Sequence, residues 1–186
     1  WLQRPLSETQ VSYAAEDAVH LAELYERLRP RLSDDKYAWV LDDGAELVAQ
    51  MRREPDPYEL YREAKLAWKL SRQQLAVMRE LCAWREREAR ARDLPRNRIL
   101  REPSLWPLAR TQPDNLSALA KIEDMHPRTI RQDGEFLLAL IKQAASVAPA
   151  EWPPALPEPL PIEASGVLKQ LRAIGQAEAE RLGIAP

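Results

Sequence analysis

Ser71 opens the stretch that most limits what this chain can become. From there Leu75, Met78, Leu81, Cys82, Arg85 and Ala89 recur at spacings of about three or four, with Arg79, Glu86, Arg87 and Arg90 between them. Such a stripe is buried by a helix and not by a strand, because a strand changes face at every residue. The period predicts a helix of about twenty residues. Ser71 is its N-cap and Asp93-Leu94-Pro95 ends it. The chain has 5 glycines and long runs of Ala, Leu, Glu and Arg, so the same expectation extends to nearly all of it. The fold class expected is all-α.

Punctuation residues divide the rest. One helix is expected over residues 8–29 and a second over 35–53, the latter with Trp39, Val40, Leu47, Val48 and Met51 at helical spacing. Asp56-Pro57 opens a short helix through Tyr58, Leu60 and Tyr61. Tyr58, Tyr61 and Trp68 are expected to pin this connector to the bundle that follows. After Ser71 come shorter helices from Pro103, from a Pro113-Asp114 cap, and from Pro127 through Phe136, Leu137 and Ile141. Together they form a bundle of four or five helices over residues 71–148. Residues 149–161 hold Pro149, Pro153, Pro154, Pro157, Pro159 and Pro161 and read as a semi-rigid linker. A last helix over 162–182 weakly repeats the one after Ser71. Val77, Leu81 and Glu88 match Val167, Leu171 and Glu178, so residues 162–186 read as the start of a second bundle.

The chemistry-bearing candidates lie near the front. Ser7 and Gln10 form a capping-box pattern, and four residues separate Tyr13 from Asp17. A phenol and a carboxylate then leave one helical face, while Val11, Ala14, Ala15, Ala18, Leu21 and Leu24 form an apolar stripe. Net charge is −2, which selects no partner, but its distribution is uneven. Residues 1–60 carry 7 basic and 13 acidic side chains, and residues 72–102 carry 9 basic and 5 acidic. The second stretch hints at nucleic acid. The single cysteine, Cys82, forms no internal disulfide and reads as a buried structural thiol, which fits a cytoplasmic protein. The chain begins at Trp1 and reads as a C-terminal piece of a longer protein.

Tyr13-Ala-Ala-Glu-Asp17, preceded by Trp1-Leu-Gln-Arg-Pro-Leu6, resembles the third motif of the DEDD exonucleases in their tyrosine-bearing subclass. The bundle is similar to an HRDC domain through Leu75, Leu81, Trp84, Arg85, Ala89-Arg-Ala-Arg-Asp-Leu-Pro95 and Ile99. The two in this order resemble the ribonuclease D family. That resemblance implies domains in sequence: the end of a 3′→5′ exonuclease domain over residues 1–31, a connector over 32–70, an HRDC domain over 71–148, the linker, and a truncated second HRDC-like domain. It implies hydrolysis of phosphodiesters with two Mg²⁺ ions and trimming of RNA 3′ ends, tRNA precursors in particular. Asp17 takes the role of a metal ligand and Tyr13 that of a group orienting the attacking water.

The family needs four carboxylates, and this chain supplies only the last. It is therefore expected to be inactive alone. Asp34-Asp35 and Asp42-Asp43 read as solvated pairs, His20 as a structural or solvent-facing residue, and His126 as a cap or turn residue. Arg90, Arg92, Arg96, Arg98 and Arg101 are candidate RNA contacts; the competing reading pairs them with Glu86, Glu88 and Asp93. Trp84 and Trp106 read as core. The alternative to an exonuclease is a non-catalytic HRDC module from a RecQ-type helicase, or a helical interaction domain. Oligomeric state is not legible in the residues.

Overall fold

The computed structural model describes residues 3–185. These divide into two units, one ending at Glu54 and one beginning at Pro55.

In the first unit Ser7 caps helix α1 (Glu8–Val19). Its Oγ accepts from the Gln10 N–H at 3.3 Å, and the Gln10 side chain accepts from the Ser7 N–H at 2.9 Å. The sequence predicts one helix over 8–29, but the structure interrupts it. At His20 (φ −87°, ψ −7°) the N–H turns to Ala18 O, and α2 (Leu21–Leu28) starts afresh. Arg29–Arg31 is a 3-10 turn around Pro30, which has no N–H to give to a helix.

Ser33 then caps α3 (Asp34–Arg52) by accepting from Lys36 N–H at 3.4 Å. Arg29 ties this corner together. It donates to Leu32 O at 3.3 Å, pairs with Asp34 at 2.9 Å, and lies 4.0 Å from the Tyr37 ring centroid. The Tyr37 and Tyr25 hydroxyls are 3.0 Å apart, and that hydrogen bond is the main reason the Tyr25 phenol is raised above its usual range. No residue of α1, α2 or α3 is buried. Their apolar faces, among them Val11, Leu24, Leu28, Val40 and Leu47, stand open.

The second unit is built on α4 (Arg72–Ala91), capped by a Ser71–Gln74 capping box. Leu75, Val77, Met78, Leu81 and Trp84 are buried along it. Around it stand the single turn α5 (Arg96–Ile99), α6 (Glu102–Thr111), the short α7 (Leu116–Ala120) and α8 (Pro127–Ala145). Leu105, Leu108, Leu119, Leu137 and Ile141 complete the core. Asn115, and not the predicted Asp114, caps α7, accepting from Ala118 N–H at 2.8 Å. His126 caps α8, its Nδ1 accepting from Arg128 N–H at 3.1 Å. Gly134 lets α7 lie against α8, since a Cβ there would meet Leu116 at 2.8 Å.

The segment predicted as a short helix after Pro57 forms 3-10 turns instead, at Leu60–Glu63 and Ala67–Lys69. Between them Leu66 adopts φ 64°, and its carbonyl accepts from Trp106 Nε1 at 3.1 Å. Tyr61 is 1% exposed in the core, and Tyr58 OH accepts from Arg87 of α4 at 2.7 Å. The proline-rich run is held at its start. Arg72 donates to Pro153 O and Trp152 O, both at 3.0 Å, and Trp152 Nε1 donates to Val147 O at 3.1 Å.

The final helix α9 (Ser165–Leu182) closes as α4 does. After α4, Asp93 takes φ 50°, its N–H bonds Arg90 O at 3.2 Å, and Leu94 N–H bonds Ala89 O at 2.9 Å. After α9, Gly183 takes φ 62°, its N–H bonds Glu180 O at 3.1 Å, and Ile184 N–H bonds Ala179 O at 3.0 Å. Both are six-to-one closures through a left-handed residue. The two helices thus end in the same backbone closure. The side chains differ in environment: Val167, Leu168, Leu171 and Ile174 are exposed where Val77, Met78, Leu81 and Trp84 are buried.

Candidate functional site

Tyr13 and Asp17 both lie on α1, so their Cβ atoms are about 5–6 Å apart on one face. A turn of about 100° per residue places Val11, Ala15 and Ala18 away from that face, with Ala14 at the edge between. Tyr13 is 56% exposed, and Asp17 is exposed too. The capping box fixes where the helix begins and hence where this face points within the unit.

No group of three or more His, Cys, Asp or Glu among the described residues is placed to hold a metal ion. A site for two divalent cations needs several oxygen ligands, and one exposed carboxylate does not supply it. The residues of this chain taken alone do not fit a two-ion centre. His20 falls at the break between α1 and α2, and Asp34, Asp35, Asp42 and Asp43 are exposed along α3.

The arginine row of the second unit is more differentiated than its sequence. Glu86, buried on α4, takes two guanidinium groups: Arg90 Nε at 2.8 Å on one oxygen and Arg96 Nε on the other. Burial opposes ionisation, but the hydrogen bonds from Arg96 and Arg90 outweigh it and hold the carboxyl below its usual range. Arg92 is gripped twice by Asp133 of α8, at 2.6 and 3.1 Å, and once by Glu88 at 2.6 Å. The Asp133 hydrogen bonds are the main reason its pKa is raised. Arg85 is buried and donates to Glu102 at 2.6 Å, Asn97 Oδ1 at 2.8 Å and Arg96 O at 3.3 Å. Arg101 pairs with Asp124 at 3.1 Å. Arg98 is exposed and holds no carboxylate among the described residues.

The pairing with Glu86 and Glu88 anticipated in the sequence is therefore present, but the third partner is Asp133 and not Asp93. Asp93 is occupied in turning the chain at φ 50°.

A pH dependence follows from Glu86. Its folded pKa lies below the ordinary 4.5, so its contribution is complete above about 4.5 and is lost as pH falls through the depressed value. Denaturant titrations from pH 6 down to pH 3 are expected to show an acid decline that is shallower in Glu86→Gln. Equal slopes in the two proteins contradict this.

Cys82 lies behind this cluster, 5% exposed. Desolvation pushes its thiol up to about 12, which keeps it protonated near neutral pH, in keeping with a buried structural thiol. Trp84 is 3% exposed and stacks on Phe136, with centroids 5.8 Å apart. Trp106 is half-buried against the core, with the Arg110 guanidinium 4.9 Å from its ring. Phe136, next to the buried Leu137 on α8, is 52% exposed.

Comparison with known proteins places both halves of this description. The HRDC domain family model matches residues 74–141, and a 3′-5′ exonuclease model matches residues 1–33. Ribonuclease D of Pseudomonas paraeruginosa (strain DSM 24068 / PA7) is 64% identical over the whole chain, which covers 50% of that protein. Ribonuclease D of Serratia proteamaculans (strain 568) is 37% identical over 99% of the chain and 50% of its own length. Among solved structures, that of Escherichia coli RNase D, described as an exoribonuclease involved in structured RNA processing, superposes with a TM-score of 0.82. It is 29% identical, and the match covers 100% of this chain and 50% of that one. The chain spans about half the length of the curated relatives it matches. Similarity of this extent, running unbroken from the Tyr13–Asp17 helix through the bundle to α9, means that the chain belongs to the ribonuclease D family.

Proposed function

We propose that this chain works as part of a 3′→5′ exoribonuclease of the ribonuclease D type. The reading rests on one observation above the others: a phenol and a carboxylate, Tyr13 and Asp17, share one face of a capped helix in a chain aligned along its whole length with ribonuclease D. In this reading Asp17 supplies one of the carboxylates around a divalent-cation centre, Mg²⁺ in the cell, and Tyr13 hydrogen-bonds the attacking water. A phenol with a pKa near ~10 suits that role better than the role of general base. The cations supply charge stabilisation and an activated water when bound. The remaining carboxylates come from other parts of the complete protein.

The open apolar faces of α1, α2 and α3 support this, because an exposed apolar patch of that kind seats against another surface. The bundle over residues 71–148 acts as an RNA-binding HRDC domain. Residues 162–186 begin a second one, since α9 repeats both the closure and the apolar row of α4. The substrates are structured RNA precursors, tRNA in particular, in the cytoplasm. No helix among the described residues is long and apolar enough to cross a membrane. A helicase tail would have no use for Tyr13 and Asp17 ahead of the bundle.

The test is incubation of the 186-residue chain with Mg²⁺ and a tRNA precursor labelled at its 3′ end. No label is released if the catalytic centre needs carboxylates from elsewhere. Progressive shortening by the chain alone contradicts the claim that its catalytic centre is incomplete.

A further inference from the structure

Two segments of the second unit carry cations and no carboxylate: Arg96-Asn-Arg-Ile-Leu-Arg101 and His126-Pro-Arg-Thr-Ile-Arg131. Twenty-odd residues separate them in sequence, and the fold joins them. Buried Thr129 donates its hydroxyl to Ile99 O at 3.1 Å. Beside this bond Ser104 Oγ donates to Glu123 O at 2.8 Å, and Arg101 pairs with Asp124. Arg85 clamps the first segment from within through Arg96 O and Asn97. The junction is thus held by hydrogen bonds that leave Arg98, Arg128 and Arg131 clear of carboxylates among the described residues.

Three of those outer side chains differ from their neighbours. Arg98 and Arg131 are exposed and hold no carboxylate among the described residues; Arg128 is exposed and bonds only the neutral Gln132, at 3.0 Å. Arg90, Arg92 and Arg96, by contrast, sit on Glu86, Glu88 and Asp133. A guanidinium already sharing a carboxylate must surrender that bond to reach a phosphate, so its net gain is small. An uncommitted one gains the full contact and releases a counterion.

The surface continues along α8. Arg128, Gln132 and Phe136 are four apart and form one row. One face of the Phe136 ring leans on Trp84 at an interplanar angle of 29°, and the residue is 52% exposed. An exposed ring about two helical turns along the row from Arg128 suits an unpaired base close along the strand from a bound phosphate.

We propose that this junction is where the chain grips single-stranded RNA, with Arg98, Arg128 and Arg131 on phosphates and Phe136 under a base. The row of Arg90, Arg92 and Arg96 serves instead to hold the bundle together. This rests on the RNA-binding reading of the bundle and moves its contact residues.

The experiment measures the affinity of the 186-residue chain for a labelled oligouridylate at several salt concentrations. The triple variant R98A/R128A/R131A is compared with a control, R52A/R53A/K65A, that removes the same charge from exposed positions in the connector. The triple variant is expected to bind about tenfold or more weakly at 0.1 M salt, with its log–log salt slope reduced by about 2. The control matches the unsubstituted chain. Phe136→Ala is expected to weaken binding about tenfold with no change of slope, and to leave binding of a duplex unchanged. If the unsubstituted chain binds with a clear slope but triple variant and control behave alike, this inference fails and the RNA-binding reading stands. If the unsubstituted chain shows no salt-dependent binding, both fail.

Discussion

Asp17→Asn, made in the complete protein, is expected to lower 3′-end trimming by about 10³-fold or more, with RNA affinity unchanged. Asparagine preserves the size and most of the hydrogen bonding of the side chain. It removes the negative charge that a hard divalent cation requires of its oxygen ligands. The fold has no stake in the residue. The start of α1 is fixed by Ser7 and Gln10, and Asp17 lies on an exposed face away from the apolar residues Val11 and Ala15. Circular dichroism and melting temperature should therefore match the unsubstituted protein. Tyr13→Phe keeps the ring and deletes only the hydroxyl, and it is expected to cost about 10²-fold in kcat with KM unchanged, in the range of a positioned proton or water contact. A variant at Asp17 that keeps more than a tenth of the activity removes the residue from the catalytic centre.

Trp84→Ala is expected to destabilise the second unit by about 3–5 kcal/mol, the range for deleting a buried large aromatic. Few domains of this size can lose that much and remain fully folded. Trp84 is 3% exposed at the middle of α4, with buried Leu81 one turn before it and the Phe136 ring against its face. Truncation leaves a cavity that a helix packed on two sides cannot close. It also frees Phe136, which loses the surface that orients its ring. Trp84→Phe fills most of the space and is expected to cost about 1–2 kcal/mol. Urea denaturation followed by far-ultraviolet dichroism measures both. A loss below 1 kcal/mol for the alanine variant would place Trp84 outside the core.

Much of the bundle is legible because its signals are local. Ser71 and Gln74 are three apart and close a capping box, the apolar row of α4 keeps helical period for five turns, and Pro127 marks the start of α8. The break at His20 has no such signal. Neither glycine nor proline stands there, and the residues on both sides are good helix formers. The short helix expected after Asp56-Pro57 is replaced by 3-10 turns, and between them Leu66 turns left-handed and offers its carbonyl to Trp106, forty residues on. Only the packed fold makes that exchange available.

The arginines show the same division. Contacts with Glu86 and Glu88 follow from four-residue spacing on a helix, whereas the grip of Asp133 on Arg92 spans forty-one residues. The proposed contacts Arg128 and Arg131 are not legible from charge density, which is concentrated in residues 72–102. The absence of acids from residues 126–131 was the available signal. Tyr13 and Asp17 are legible as a pair because their spacing is itself the feature, though the same spacing occurs in inert helices. The resemblance around them gave the pair meaning.

The most direct test follows one RNA labelled in two places. The complete protein is given a tRNA precursor carrying one label on its 3′-terminal nucleotide and another at its 5′ end, with and without Mg²⁺. Release of the 3′ label as a mononucleotide before any change at the 5′ end, followed by a ladder shortening one nucleotide at a time and dependent on the metal, is the predicted result. Internal cleavage, loss of the 5′ label first, or trimming that persists in Asp17→Asn would contradict it.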